Sequence, residues 1–423
     1  MKHTLLSLVL FLLHVVPILA QDTLRLTFDQ AQERFLQKNL VLIAQKFNVN
    51  IAEAGVSQAK LWYNPNLFVE TNLYNGYTHK ILPYGKQEDL VNPTGGVFNI
   101  QLQQILSLAA SRSKLVRLAQ SNVALQQSAF QDVMRNARFS LAQIFGNLVN
   151  EQAKLGMLNQ ERTRLETLLE AFRAQLKLGV IAPYEVTRLE LEQKNFERDL
   201  ANLNVQIAQD ESEMRVLISE SGTVYIVPVP VQTVIPPMPA LPQLLDLAYA
   251  NRPDLLAAQQ QVNYNQNNLT YQKSLAVPNL TLGADYQRVG SAFPHYVGVQ
   301  ALIDLPVRNK NQGNILSAKA GIDQSKVTSE LARLQIEQDV ITAARQYQQA
   351  MIQQQKISPA YLESIEEISR NATEDYAKRV IDLVSFIDKI RAHRDAQLNL
   401  IDLQNDLFQS QQQLNFVTNT KTF

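Results

Sequence analysis

Outside the N-terminal leader, three histidines, His79, His295 and His393, are the first places to look for metal ligation or acid–base chemistry. Their spacing argues against both. His79 and His295 fall in segments that read as loops between strands, and His393 stands alone on a helix with no ligand at i+3 or i+4. A lone imidazole lacks the other donors a metal centre needs. The chain has no cysteine, which removes thiolate metal sites, disulfides and a lipid-bearing N-terminal Cys. It has no nucleophile elbow, P-loop or dinucleotide fingerprint. Its 39 basic and 39 acidic residues balance to zero, leaving no electrostatic case for nucleic acid as a partner. These residues predict no enzyme activity and no cofactor.

The elements must then explain the chain. Residues 1–20, "MKHTLLSLVLFLLHVVPILA", have a basic start, a short apolar run and a small-residue end. They read as a removable signal peptide, so the mature chain is expected to be exported and to begin near Gln21. Beyond it no run of about 18 apolar residues exists to make a membrane-spanning helix. Alternating β-barrel strands carry a weaker signal, and they keep a membrane role open.

The rest is written twice. "YNPNLFVETNLY" is answered by "AVPNLTLGADY", and "KNLVLIAQ" by "NRPDLLAAQ", about 213 residues later. After the strands, "LGVIAPYEVTRLE" is answered by "KRVIDLVSFIDKI" about 200 residues on. The lost residues lie in the loop between paired strands, where surface connections tolerate change. This organisation predicts repeat 1 over 21–226, a Pro-rich connector over 227–242 and repeat 2 over 243–423. Strand pairs are expected at 65–75 with 96–105, and at 278–287 with 296–305. Helices of about 35 residues are expected from Thr27 and from Leu241, and of about 70 from Leu106 and from Asn311. Two more of about 35 follow Tyr184 and Leu383. At 1.5 Å per residue the long ones are about 105 Å, twice the short ones. Pro359 should kink or break the second long helix. Val186, Leu189, Gln193, Phe196, Leu200, Leu203, Ile207, Asp210, Met214 and Leu217 alternate spacings of three and four, eight of the ten apolar, a coiled-coil seam.

The strands alternate. Phe98, Ile100 and Leu102 oppose Asn99, Gln101 and Gln103, while Leu280, Leu282, Ala284 and Tyr286 oppose Thr281, Gly283, Asp285 and Gln287. Val297, Val299, Ala301 and Ile303 form a third apolar row, and Leu67, Val69 and Leu73 a fourth. Such segments suit a half-buried soluble sheet or a lipid-facing barrel. Four strands cannot close a barrel, for which about eight are needed, so their open edges demand other copies of the chain.

Across the mature chain these segments resemble the TolC-like outer-membrane efflux factor family. "NRPDLLAAQQQV" with "VPNLTLGADY" resembles its second-repeat entry, and "KNLVLIAQKFNVNIAEAGVSQAKLWYNPNL" its first. "IDLPVRNKNQGNI" is similar to the turn of the CzcC-like heavy-metal branch. The resemblance implies a mainly α fold with a small β part. In it, long coiled-coil hairpins from three copies form a periplasmic α-barrel, and three sets of four strands form a twelve-stranded outer-membrane barrel. It implies a homotrimeric, passive exit duct among outer-membrane lipids, docked on a periplasmic adaptor (membrane fusion) protein and fed by an inner-membrane pump of RND or ABC type. Heavy-metal cations are one expected cargo. The same duct serving type I protein secretion, and a soluble periplasmic coiled-coil scaffold whose own helices cover the sheet, are the alternatives.

By the same resemblance, the turns between hairpin helices carry the named sites. Leu178, Gly179, Val180, Pro183, Val380 and Asp382 are the expected adaptor-docking tips. Glu185, Tyr376, Arg379, Ser385 and Asp388 are the expected periplasmic aperture. Ser385 stands where the family has a second acid, and Ile381 where it has an arginine, which Arg379 is expected to replace. Carboxylates gathered by three-fold symmetry would repel one another and attract cations.

Overall fold

The computed structural model describes residues 23–76, 79–81, 96–222, 224–231, 235–289 and 293–421. The leader and most of the first strand-to-strand loop lie outside them. The chain is mainly helical with a small sheet part. In order come β1 (Thr23–Leu26), α1 (Phe28–Lys38), α2 (Leu40–Ala59), β2 (Asn66–Thr71), β3 (Tyr74–Asn75), β4 (Lys80–Ile81) and β5 (Val97–Ser107). Then follow α3 (Ser111–Lys177), α4 (Pro183–Leu217), β6 (Tyr225–Pro228), α5 (Leu241–Asn251) and α6 (Pro253–Leu275). The last elements are β7 (Asn279–Val289), β8 (Phe293–Ile303), α7 (Gln312–Gln355), α8 (Pro359–Ala377) and α9 (Leu383–Thr418).

Two helices expected to be continuous, and the long one expected to kink or break at Pro359, are interrupted, each for a local reason. Asn39, with ψ 117°, separates α1 from α2. Its Oδ1 accepts the Leu42 N–H at 2.9 Å, and its Nδ2 donates to the Leu217 carbonyl at 2.7 Å. Arg252 breaks the equivalent place in the second half, because the residue before a proline is pushed out of the helical region. Its buried guanidinium donates to Asp339 at 2.9 Å. The Pro359 interruption is a full break, with Ser358 capping α8 through its hydroxyl. The parallel pairing of β1 with β6 carries no alternation long enough to read in sequence.

The fold divides into two compact units, each drawing segments from both halves of the sequence. One comprises 44–132 and 253–335. Its sheet runs β2-β5-β7-β8, antiparallel throughout. Ladder register gathers the apolar rows on one face. Leu67, Leu102, Ala284 and Val299 lie side by side, as do Val69, Ile100, Tyr286 and Val297. None of these is buried, and Val299 is 89% exposed. The opposite face carries Gln101 beside Asp285, and Asn99 beside Gln287. Among the described residues, the covering helices that the scaffold alternative requires are therefore not on this face. The helical part of the unit packs through small residues seven apart, Ala52 with Ala59, Ser121 with Ser128, and Ala318 with Ser325, all buried. A seven-residue repeat of small side chains lets helices approach closely along one seam.

The other unit comprises 23–43, 133–252 and 336–421 among the described residues. Its core includes Phe35, Leu141, Phe145, Leu148, Ile336, Tyr347 and Leu414. The heptad of α4 is buried at Val186, Leu189, Phe196, Leu200 and Met214, while its seam position between Ile207 and Met214 is the carboxylate Asp210.

Buried Glu151 of α3 has one carboxylate oxygen without a partner. Burial, then the charge of Asp210, pushes its carboxyl up to about 7 against the opposing pull of Lys154. A carboxyl raised in the fold contributes its stability below its unfolded value of about 4.3 and loses it as pH rises through about 7. Glu151→Gln is therefore expected to gain about 2 kcal/mol over wild type at pH 8, and nothing near pH 4. Thermal unfolding followed at both pH values checks this, and an equal gain at both would contradict it.

Candidate functional site: the helical tips

Each helical hairpin turns through the same motif. In the first, the Val180 N–H donates to the Gln175 carbonyl at 3.0 Å and the Gly179 N–H to Leu176 at 3.0 Å. This double return bond needs a left-handed residue just past the helix, and Gly179 supplies it with φ 73°. In the second, Val380 donates to Asp375 at 2.8 Å and Arg379 to Tyr376 at 2.9 Å. The left-handed place is held by Arg379 itself, φ 57°, a conformation costing a side-chain-bearing residue about 1–2 kcal/mol. The return helices start differently. Pro183 opens α4 behind Ala182, whose N–H is accepted by Glu185 Oε1 at 3.3 Å. Asp382 caps α9 by accepting the Ser385 N–H at 2.8 Å, and that bond holds its exposed carboxyl below the usual range.

The predicted site residues separate into two groups. Glu185, Tyr376 and Arg379 are brought together. Tyr376 Oη donates to Glu185 Oε2 at 2.8 Å, joining the second hairpin to the first. Burial, then that bond, raises the Tyr376 phenol above its ordinary value. The ring stacks on Phe172 at 5.1 Å and leans on Phe386 at 5.0 Å. Arg379 Nη2 donates to the Val180 carbonyl at 3.3 Å, a second tie between tips. Asp388 and Ser385 are exposed and stand apart from this cluster. Leu178, Val180 and Val380 expose their apolar side chains at the turns. Beneath lies a core of Leu169, Phe172, Val186, Leu189, Ala372, Leu383, Phe386 and Ile387.

Two further features escape sequence reading. Arg391 binds Glu192 through both Nε and Nη2, and this holds the Glu192 carboxyl low. His393 is fully buried with neither ring nitrogen hydrogen-bonded, its Nδ1 3.9 Å from Glu161 and its Nε2 3.9 Å from Glu366. These neighbours come from other helices, which i+3 and i+4 spacing could never reveal. The hydroxyl-to-carboxylate tie gives a direct expectation. A double-mutant cycle of Tyr376→Phe with Glu185→Gln should return a coupling of about 1–2 kcal/mol in denaturant unfolding. Additive losses would show that the bond does not join the hairpins.

Residues 244–420 match the family model described as Outer membrane efflux protein. The chain is 20% identical over 397 residues to the cobalt-zinc-cadmium resistance protein CzcC of Cupriavidus metallidurans, covering 94% of this chain and 91% of that one. Among solved structures, a membrane protein from Pseudomonas aeruginosa superposes with a TM-score of 0.76 at 14% identity, over 92% of this chain and 93% of its own. CusC, a transmembrane channel former, gives 0.71 at 17% identity over 92% and 91%. The outer membrane protein VceC of Vibrio cholerae gives 0.72 at 14% over 93% and 96%. The chain thus has the fold of the TolC-like outer-membrane efflux proteins and carries, in residues 244–420, the domain of the outer membrane efflux protein family.

Proposed function

We propose that this chain is the outer-membrane exit duct of a tripartite efflux system, exported through a cleaved signal peptide and not lipidated. One observation carries the reading: a four-stranded sheet with two open edges, β2 and β8, and an apolar face that nothing among the described residues covers. Lipid tails suit that face, and the free backbone groups of both edges call for strands of neighbouring copies. Three copies give twelve strands, enough to close. The polar face, with Gln101, Asp285, Gln103 and Gln300, then lines the water-filled interior.

The exposed apolar turn residues Leu178, Val180 and Val380 suit docking on a periplasmic adaptor, beside Gly179, Pro183 and Asp382, with an inner-membrane pump of RND or ABC type behind it. The ties Tyr376–Glu185 and Arg379–Val180 hold the hairpins together, and exposed Asp388 is the carboxylate left to face the aperture, where three copies would favour cations. The likeness to a cobalt-zinc-cadmium resistance protein supports heavy-metal cations as cargo. Deleting the gene is expected to raise sensitivity to zinc, cobalt or copper in the native host. Unchanged tolerance to all three would remove the metal cargo and leave the duct.

A further inference from the structure

The sheet register brings the start of β2, the end of β5, the start of β7 and the end of β8 to one edge, where each strand joins a helix. In those four junctions, residues 60–65, 108–116, 273–278 and 304–311, stand Lys60, Arg112, Lys114, Lys273, Arg308 and Lys310 against one carboxylate, Asp304. A chain whose charges balance overall has gathered six cations to one anion here. None of the six forms an ion pair among the described residues, and Lys60, Lys273, Arg308 and Lys310 are exposed. Two of them are also placed against their helix: Arg112 and Lys114 sit in the first turn of α3, which has no acidic residue. Cations there oppose the helix dipole, so this placement does not serve helix stability.

Local contacts draw the junctions together. Arg112 Nη1 donates to the Lys60 carbonyl at 3.3 Å while its guanidinium lies 3.9 Å over the Trp62 ring. Asn311 Nδ2 donates to the Gln272 carbonyl at 2.8 Å, setting the Arg308–Lys310 loop beside Lys273. Apolar Leu61, Trp62, Leu305 and Val307 are exposed in the same junctions as the cations, next to the sheet with its uncovered apolar face. A ligand satisfying both must be an amphiphile, with hydrocarbon for the face and an anion for the collar. Tryptophan and long basic side chains are the residues that settle at a membrane interface.

We infer that this collar binds anionic phospholipid headgroups of the periplasmic leaflet, the leaflet on the helical side of the sheet. The inference rests on the proposed membrane placement of the sheet. Each Lys or Arg near an anionic surface adds attraction that salt screens. The purified full-length protein, reconstituted into phosphatidylcholine vesicles and extracted in non-ionic detergent, is challenged with equal phosphatidylglycerol and phosphatidylcholine, and the co-purifying lipid is counted by mass spectrometry. Phosphatidylglycerol is expected in excess by about tenfold or more. The excess should collapse in high salt and in the variant with all six cations changed to Gln, of which the salt arm needs no altered chain. Equal retention of the two lipids by the wild type would overturn the collar while leaving the membrane reading intact, as would a stronger preference for lipid A. Failure to enter phosphatidylcholine vesicles at all would overturn both.

Discussion

Val299→Arg is expected to abolish recovery of the assembled protein from the membrane fraction. Val299 sits near the middle of β8, beside Ala284, and is the most open of the apolar row. If lipid covers that face, a guanidinium at mid-depth costs about 2–4 kcal/mol, and a closed wall of several copies meets that cost once per copy. Recovery should fall more than about tenfold, since each 1.4 kcal/mol is a factor of ten. Gln300, the next residue, faces the other way, beside Gly283. Gln300→Arg puts the same charge on the polar face and is expected to leave recovery unchanged. Membrane fractionation of both variants makes the comparison, and equal tolerance would deny that the two faces meet different solvents.

Phe172→Ala is expected to loosen the helical tips. The ring is 2% exposed, stacked on Tyr376 and packed among Leu169, Val186, Leu189 and Phe386. Emptying such a site costs about 3–5 kcal/mol, more than the hydrogen bond from Tyr376 to Glu185 can offset. Hydrogen exchange should accelerate in the turns around Gly179 and Arg379, and remain unchanged in β5 and β7. Exposed Leu178→Ala should change neither, since surface substitutions stay within about 0.5 kcal/mol. Uniform acceleration across the chain would place Phe172 in a global core instead.

What could be read from sequence follows how far each signal travels along the chain. The paired strands were legible because a period of two marks a half-buried face with no knowledge of neighbours, and the ladder register then aligns Leu67, Leu102, Ala284 and Val299. The left-handed turn at Gly179 was legible from glycine alone. Its counterpart at Arg379 was not, because nothing in an arginine announces a positive φ. The breaks at Asn39 and Arg252 left readable traces, a capping asparagine and a Pro253 that disfavours helix before it. They were missed because the apolar pattern runs on across both. The ties Tyr376–Glu185 and Arg391–Glu192, and the approach of His393 to Glu161, bring together residues about 190 to 230 positions apart, and only packing shows them. Tyr376 and Glu185 were approached by family resemblance, whereas Glu192 and His393 had no such guide.

The central claim is that the uncovered sheet face belongs in lipid, within a wall that several copies close. Single-channel recording of the purified protein in a planar lipid bilayer tests it most directly. Discrete, long-lived conductance steps that favour cations are the expected result. A silent bilayer, together with release of the native protein from membranes by carbonate or urea without detergent, would contradict it.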